Sequence, residues 1–412
     1  MNERLRIALI ASNRFSISQP FAGGLEAHVW HLARALAQRG HQVSLFAAAG
    51  SDRDLDCHTL AVRRLDVSAA AQADVSMPAA AFMADHHAYL TLMLQLASSA
   101  REDFDIIHNH SLHYLPVAMA PMLSTPMLTT VHTPPTPWLE SAIDAAAGGG
   151  TQFAAVSQHT AAAWSKAIRN ITVVPNGIAA HQWPLGRGGE PLVWFGRITP
   201  EKAPHLAISA ARRAGRPLVL AGPISDPHYF ATEVAPRLGD ETRYAGHLDQ
   251  AQLARLVGAS AAALVTPMWD EPYGLVVPEA MCCGTPVIAF ARGGIPELVA
   301  PQAGRLIPPG DVAAMADAIP ETARLPRKQV RDYAVRRCSS EAMLGAYLDL
   351  YRQMLDNHSE ANSDRLLHSS SRFWAFGAGD KYQRTPAPPG HCAELSGHSR
   401  AASICGRGEA TA

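Results

Sequence analysis

The chain has 412 residues, 48% of them hydrophobic, and a formal net charge of −1. That length suits two or three domains of about 150 residues each, with ample apolar content for buried cores. The near-zero charge gives no bulk attraction to nucleic acid or to an anionic membrane, so no nucleic-acid partner is expected.

Six cysteines, Cys57, Cys282, Cys283, Cys338, Cys392 and Cys405, show no paired spacing. That favours a reducing, cytoplasmic setting. Residues 7–11 are too short an apolar run for a signal-peptide core, and no run of about 18 apolar residues is present to span a membrane. Peripheral membrane contact and the oligomeric state stay open.

Residues 7–11 instead read as a first strand. A glycine loop and a helix from about Glu26 follow, with Leu25, Val29, Leu32 and Leu36 recurring at three- and four-residue steps. Gly40 ends that helix and residues 43–47 resume as strand. Apolar runs at 105–108, 127–131, 153–156 and 171–174 then alternate with helical patterns. The longest of these, over 74–100, carries Tyr89, Leu90, Leu92, Met93 and Leu96. Such alternation argues for a parallel sheet covered on both faces.

The pattern restarts near residue 191, with strands at 192–195, 218–221, 262–265 and 287–290. The Gly-rich, polar segment 179–190 reads as the linker between two domains. Residues 340–355 form an amphipathic helix with Met343, Tyr347, Leu350, Tyr351 and Met354 on one side. From residue 357 the periodicity stops and the composition turns to Ser, Gly, His, Pro and Arg, which reads as a disordered tail. Its His391, Cys392, His398 and Cys405 match no zinc spacing, and its Trp374 and Phe376 are candidates for a docking element. The expected division is therefore 1–178, 179–339, a helix at 340–356 and a tail at 357–412, in an α/β architecture of two doubly wound domains around a cleft.

Three segments carry candidate chemistry. Gly23-Gly24 lies between the first strand and the first helix, where glycines admit a phosphate and a helix N-terminus favours an anion; ordinary turns use glycines too. Arg197 and Lys202 follow the first strand of the second domain, and two cations there suit a diphosphate, although isolated pairs are usually surface charges. Glu271 and Glu279 flank a loop and the start of a proline-led helix, expected over 279–283, after an apolar strand. Their carboxylates suit sugar hydroxyls, and the backbone N–H groups at Gly274 and Leu275 suit a phosphate. Strand ends of this kind are where open α/β sheets bind ligands. His108, His110, His113 and His132 cluster at the ends of two first-domain strands. Core or surface roles fit His108 and His113. A zinc site from His110, His113 and His132 is conceivable but no nearby carboxylate or cysteine completes it.

The Glu271, seven-residue, Glu279 pair, set between apolar strands, resembles the signature of retaining glycosyltransferases of family 4, which have the GT-B fold. Phe195-Gly196-Arg197-Ile198 with Glu201-Lys202, Val174-Pro175-Asn176-Gly177-Ile178 and Gly293-Gly294-Ile295-Pro296-Glu297 extend the resemblance over roughly residues 5–355. It implies two Rossmann-like domains, the first for the acceptor and the second for the donor, with the last helix crossing back to the first domain. It implies that Arg197 and Lys202 stabilise a leaving nucleoside diphosphate and that the Gly23–Gly24 loop and N–H groups near Gly274, Leu275 and Val276 assist. Glu279 would hold ribose, Glu271 would orient the transferred sugar, and His132 would face that sugar. Gly246 and Leu248 would line the base, and His110 would line the acceptor side.

The implied reaction moves a hexosyl group, glucose first and mannose from GDP-mannose second, from a nucleoside-diphosphate sugar to a hydroxyl acceptor. The wording around His108–His113 and His132–Pro135 points to a branch acting on small-molecule acceptors. No metal and no further cofactor are expected, since no paired-aspartate motif stands out. An epimerase or a non-catalytic nucleotide-sugar binding protein of the same fold is the alternative. A phosphorylase of the glycogen type would need a longer chain and a pyridoxal lysine. A Rossmann dehydrogenase would need a Gly-x-Gly-x-x-Gly turn that residues 22–26 do not supply.

Overall fold

The computed structural model describes residues 4–55, 65 and 67–369. Cys57 and the tail residues Trp374, Phe376, His391, Cys392, His398 and Cys405 lie outside them. Two six-stranded parallel sheets organise residues 4–361. The first has the order β2-β1-β3-β4-β5-β6, built from β1 (Arg6–Ile10), β2 (Gln42–Phe46), β3 (Ile106–Asn109), β4 (Met127–Val131), β5 (Thr151–Ala155) and β6 (Ile171–Val173). The second has the order β12-β11-β10-β7-β8-β9, from β7 (Leu192–Phe195), β8 (Leu218–Ala221), β9 (Thr242–Tyr244), β10 (Ala263–Val265), β11 (Val287–Phe290) and β12 (Gly304–Ile307). Helices cover both faces of each sheet, so central strands such as Leu192–Phe195 are buried along their whole length, as parallel strands require. Each fully buried Leu, Ile or Phe on them contributes about 1.5–3 kcal/mol of transfer free energy.

Both orders place the ligand site. The winding reverses between β1 and β3 in the first sheet and between β7 and β10 in the second. Connections leave in opposite directions at such a point and open a crevice at the carboxyl ends of the strands. The loops after β1, β3, β7 and β10 border those crevices, and they hold the glycine pair, His110, Arg197 with Lys202, and Glu271.

The final helix, Ser340–Ser369, crosses back to the first lobe. Met343, Tyr347, Tyr351 and Met354, at steps of three and four, pack with Leu9, Val29 and Leu32 in that lobe's core. The chain passes between lobes twice side by side: Ile178 N–H donates to Cys338 O at 2.8 Å and Ser340 N–H to Ile178 O at 3.3 Å. A Cβ on Gly177 would sit 2.4 Å from Ser340 Cα, so only glycine admits the second crossing there.

Several expected boundaries move. The helix foreseen over 74–100 runs Ala80–Asp103, behind a separate short helix at Ala69–Gln72. Pro78 separates them, because the residue before a proline avoids the helical region. The helix foreseen at 279–283 is Val276–Cys282, with Pro278 inside the first turn, where no backbone donor is needed. The segment 179–190 is not a loose linker: Trp183 is buried in the second lobe's core, Arg331 donates to Ala180 O at 3.0 Å, and Gly186 lies against the Gly258 backbone. The last helix extends past 356 to Ser369; residues 357–369 contain neither Gly nor Pro to stop it. No helix among the described residues is long and apolar enough to cross a membrane.

Candidate active site

The cleft between the two reversal points encloses about 320 Å³, within the usual range for small-molecule sites. Gly23, Gly24, His132, Arg197, Lys202, Leu248, Glu271, Gly274, Leu275, Val276 and Glu279 all line it, although they come from five separate segments. Two expected residues do not. Gly246 is absent from the lining; at φ +88° it turns the chain so that its carbonyl takes the Gly222 N–H at 2.9 Å. His110 is fully buried rather than lining the acceptor side of the cleft, because it sits at the end of a central strand, next to His132.

The helix Gly24–Gln38 opens at Gly23 without a side-chain cap, which leaves its first N–H groups for a ligand. Across the cleft, Arg197 reaches the same point. A Cβ on Gly23 would lie 3.0 Å from Glu26 Oε2 and 3.8 Å from Arg197 Cδ, and one on Gly24 would press Leu275 Cδ1 at 2.9 Å. Any larger residue would thus fill the space where the two lobes meet. Burial raises the Glu26 carboxyl above its usual range, against the pull of its own N–H and of Arg197. Arg197 also pairs with Glu201 at 3.5 Å.

Lys202 makes an ion pair with Glu271 inside the cleft, with only 20% and 15% of the two side chains exposed. Trp269 Nε1 donates to Glu271 Oε2 at 3.0 Å and its ring lies 5.0 Å from the Lys202 ammonium. This tryptophan was not singled out from sequence; its place two residues before Glu271 was the available signal. The loop carrying Glu271 is fixed from behind. Gly294 N–H donates to Glu271 O at 2.7 Å, and Gly293, at φ +62°, comes so close that a Cβ would overlap that oxygen.

Glu279 faces the cleft from the first helical turn and has no hydrogen-bond or ion-pair partner among the described residues. Burial alone pushes its carboxyl up from 4.5 to about 8. An unpartnered acid in a cleft is suited to receive hydroxyl donors, which favour the ionised form.

His132 lies on the other wall. Its Nε2 is 2.9 Å from His110 Nδ1, so one ring donates to the other. Burial holds both well below the usual imidazole value, so both rings are neutral near pH 7. His108 uses both nitrogens, with Tyr351 Oη at 2.6 Å and Thr130 Oγ1 at 2.8 Å, which makes it a core histidine tied to the crossing helix.

The lobes also clamp each other. Ser157 Oγ donates to Pro272 O at 2.6 Å. Glu297 accepts from the N–H groups of Gln158 at 3.0 Å and His159 at 2.7 Å, capping the helix Gln158–Trp164 from the opposite lobe. His247 Nε2 donates to Phe21 O at 2.9 Å.

Comparison with known proteins agrees with this architecture. Residues 22–182 match the family model described as Glycosyltransferase Family 4, and residues 182–336 match Glycosyl transferases group 1. A glycogen synthase of Mycobacterium tuberculosis is 29% identical over 338 residues, 72% of this chain and 81% of the relative. A D-inositol 3-phosphate glycosyltransferase of Mycobacterium bovis is 31% identical over 209 residues, 44% of this chain and 43% of the relative. Sucrose-phosphate synthase from Thermosynechococcus elongatus has the same fold at a TM-score of 0.70 and 24% identity, over 86% of this chain and 100% of that one. HepE from Anabaena, solved with UDP-glucose, has it at 0.64 and 18%, over 87% and 100%. The two family models together run from residue 22 to 336, and the chain belongs to the family 4 glycosyltransferases of GT-B fold. It is an enzyme that takes a nucleotide-sugar donor and an acceptor.

Proposed function

We propose that this glycosyltransferase moves a hexosyl group, glucose first, from a UDP-sugar to a hydroxyl acceptor with retention at the anomeric carbon and without a metal requirement. The observation that carries the reading is that Arg197 meets the uncapped helix start at Gly23–Gly24 at one point, with Lys202 and two carboxylates lining the same cleft. A diphosphate fits that point. The solved HepE complex with UDP-glucose on the same fold supports the donor.

In the reaction the bond from the anomeric carbon to the diphosphate oxygen breaks, the acceptor oxygen bonds to that carbon, and the acceptor proton passes to the leaving diphosphate. Negative charge builds on the diphosphate. Preorganised cations and N–H groups stabilise it, commonly the largest catalytic contribution. Lys202 is held between Glu271 and Trp269 before any ligand arrives, so little reorganisation remains. Glu279 receives the ribose hydroxyls. Glu271 orients the transferred sugar, and neutral His132 exchanges hydrogen bonds with the sugar rather than presenting a charge. The shut cleft limits transfer to water.

The test is a donor panel. UDP-glucose, UDP-N-acetylglucosamine, UDP-galactose and GDP-mannose are incubated with the enzyme without acceptor, with and without a chelator. Slow UDP release from UDP-glucose is expected, unchanged by the chelator and lost in Glu271→Ala. Release only from GDP-mannose would overturn the donor assignment. Recovery of an epimerised donor with no diphosphate release would replace transfer by epimerisation.

A further inference from the structure

Three histidines from three elements meet beneath the cleft. His28 lies in the second turn of the helix Gly24–Gln38, His110 directly follows β3, and His132 directly follows β4. Their ring centroids form a nearly equilateral triangle, with sides of 5.3 Å (28–110), 5.1 Å (28–132) and 5.2 Å (110–132). One ligating nitrogen of each lies within 4.8 Å of the other two.

That triangle has the size set by a tetrahedral ion. Zinc–imidazole bonds of about 2.0–2.1 Å put each ring centre about 3.2 Å from the metal, and a tetrahedral angle then separates the ring centres by about 5.2 Å. On such an ion the ligating nitrogens lie about 3.4 Å apart, so the His110–His132 contact of 2.9 Å opens slightly and the wider nitrogen separations close. The backbone triangle needs no rebuilding.

Nε2 of His28 is buried without a hydrogen-bond partner, a desolvated polar atom that a metal bond would satisfy. The neighbouring His108, with both nitrogens engaged, is not a candidate ligand. Among the described residues no carboxylate joins the cluster, so three imidazole ligands leave one position free, and His132 lines the cleft onto which that position would open.

We propose that His28, His110 and His132 form a three-imidazole site for a divalent first-row transition ion, zinc foremost, in the wall of the donor cleft. Imidazole donors select zinc, cobalt, nickel or copper over magnesium and calcium. The site shares His132 with the cleft lining, while the transfer chemistry itself uses no ion.

The test reads binding without any donor. The full chain is stripped with a chelator, dialysed and titrated with Co(II). About one equivalent is expected, with the visible d–d absorption of a four- or five-coordinate nitrogen site, and Zn(II) should displace it. The band should vanish in His28→Gln and in His110→Gln, each checked for folding by circular dichroism. It should persist when tail residues His391, Cys392 and His398 are replaced together. No band in the wild-type chain would overturn the site, as would a band that survives both histidine variants or is lost with the tail residues.

Discussion

Glu279 and the buried histidines give the protein opposing pH dependences. Glu279 has a folded value of about 8 against 4.5 for the free side chain. Its carboxyl ionises later in the folded state, so the stability it contributes is full below about 4.5 and is lost as pH rises through 8. The slope in that window is at most about 1.4 kcal/mol per pH unit. The histidines act in reverse. Burial lowers His28 to about 3 and His31 and His113 to about 4, so their contribution is full above about 6.5 and is lost as pH falls. Stability should therefore rise toward pH 6.5 and decline toward pH 8. Urea unfolding of wild type and Glu279→Gln at pH 5.5, 6.5 and 8 checks this: the alkaline decline should flatten in the variant while the acid limb stays. UDP binding at pH 7 should also release a proton, visible as a buffer-dependent calorimetric enthalpy that Glu279→Gln removes. An alkaline decline identical in both proteins would refute the assignment.

At the scale of elements, the contacts between loops and helix ends decide how the cleft shuts. Glu297 caps the helix Gln158–Trp164 from the other lobe with two charge-assisted bonds. Such bonds are worth about 1.5–3 kcal/mol each when shielded, but here one amide is exposed, so a smaller total of about 1–2 kcal/mol is expected. Glu297→Ala should speed hydrogen exchange at the Gln158 and His159 amides and raise the donor KM several-fold, with the melting temperature only slightly lowered. A large loss of melting temperature with unchanged donor KM would make Glu297 a stability residue instead of a clamp.

The same scale shows what the sequence can express. Central strands such as Leu192–Phe195 and Val287–Phe290 are unbroken apolar runs, because both faces are covered, and they are legible at once. Edge strand β12, with exposed Leu306 and polar Arg305, carries no such signature and was not foreseen. The Glu271–Glu279 pair is local and readable within one segment. The triangle of His28, His110 and His132 is not, because it exists only once β3, β4 and the first helix are aligned. For the same reason the sequence puts His110 on the acceptor side of the cleft, while the sheet buries it. The glycine-rich stretch 179–190 looked like a linker because glycine marks both flexible chain and close backbone packing; Gly186 against Gly258 is the second case.

Across the whole molecule, neither lobe lines the cleft alone. The first supplies Gly23, Gly24 and His132, and the second supplies Arg197, Lys202, Glu271 and Glu279. The crossing helix fixes the first lobe through Tyr347 and Tyr351 and ties it to the second through the paired crossings at Ile178 and Ser340. The account therefore places the leaving-group charge between lobes, on groups already set before binding. Steady-state turnover of UDP-glucose by Lys202→Ala, with UDP affinity measured in parallel, tests that most directly. Loss of one preorganised charge should lower kcat by about 10²–10³-fold, with UDP affinity changed less than about 10-fold. A variant that keeps wild-type kcat, or loses only UDP affinity, would contradict the account.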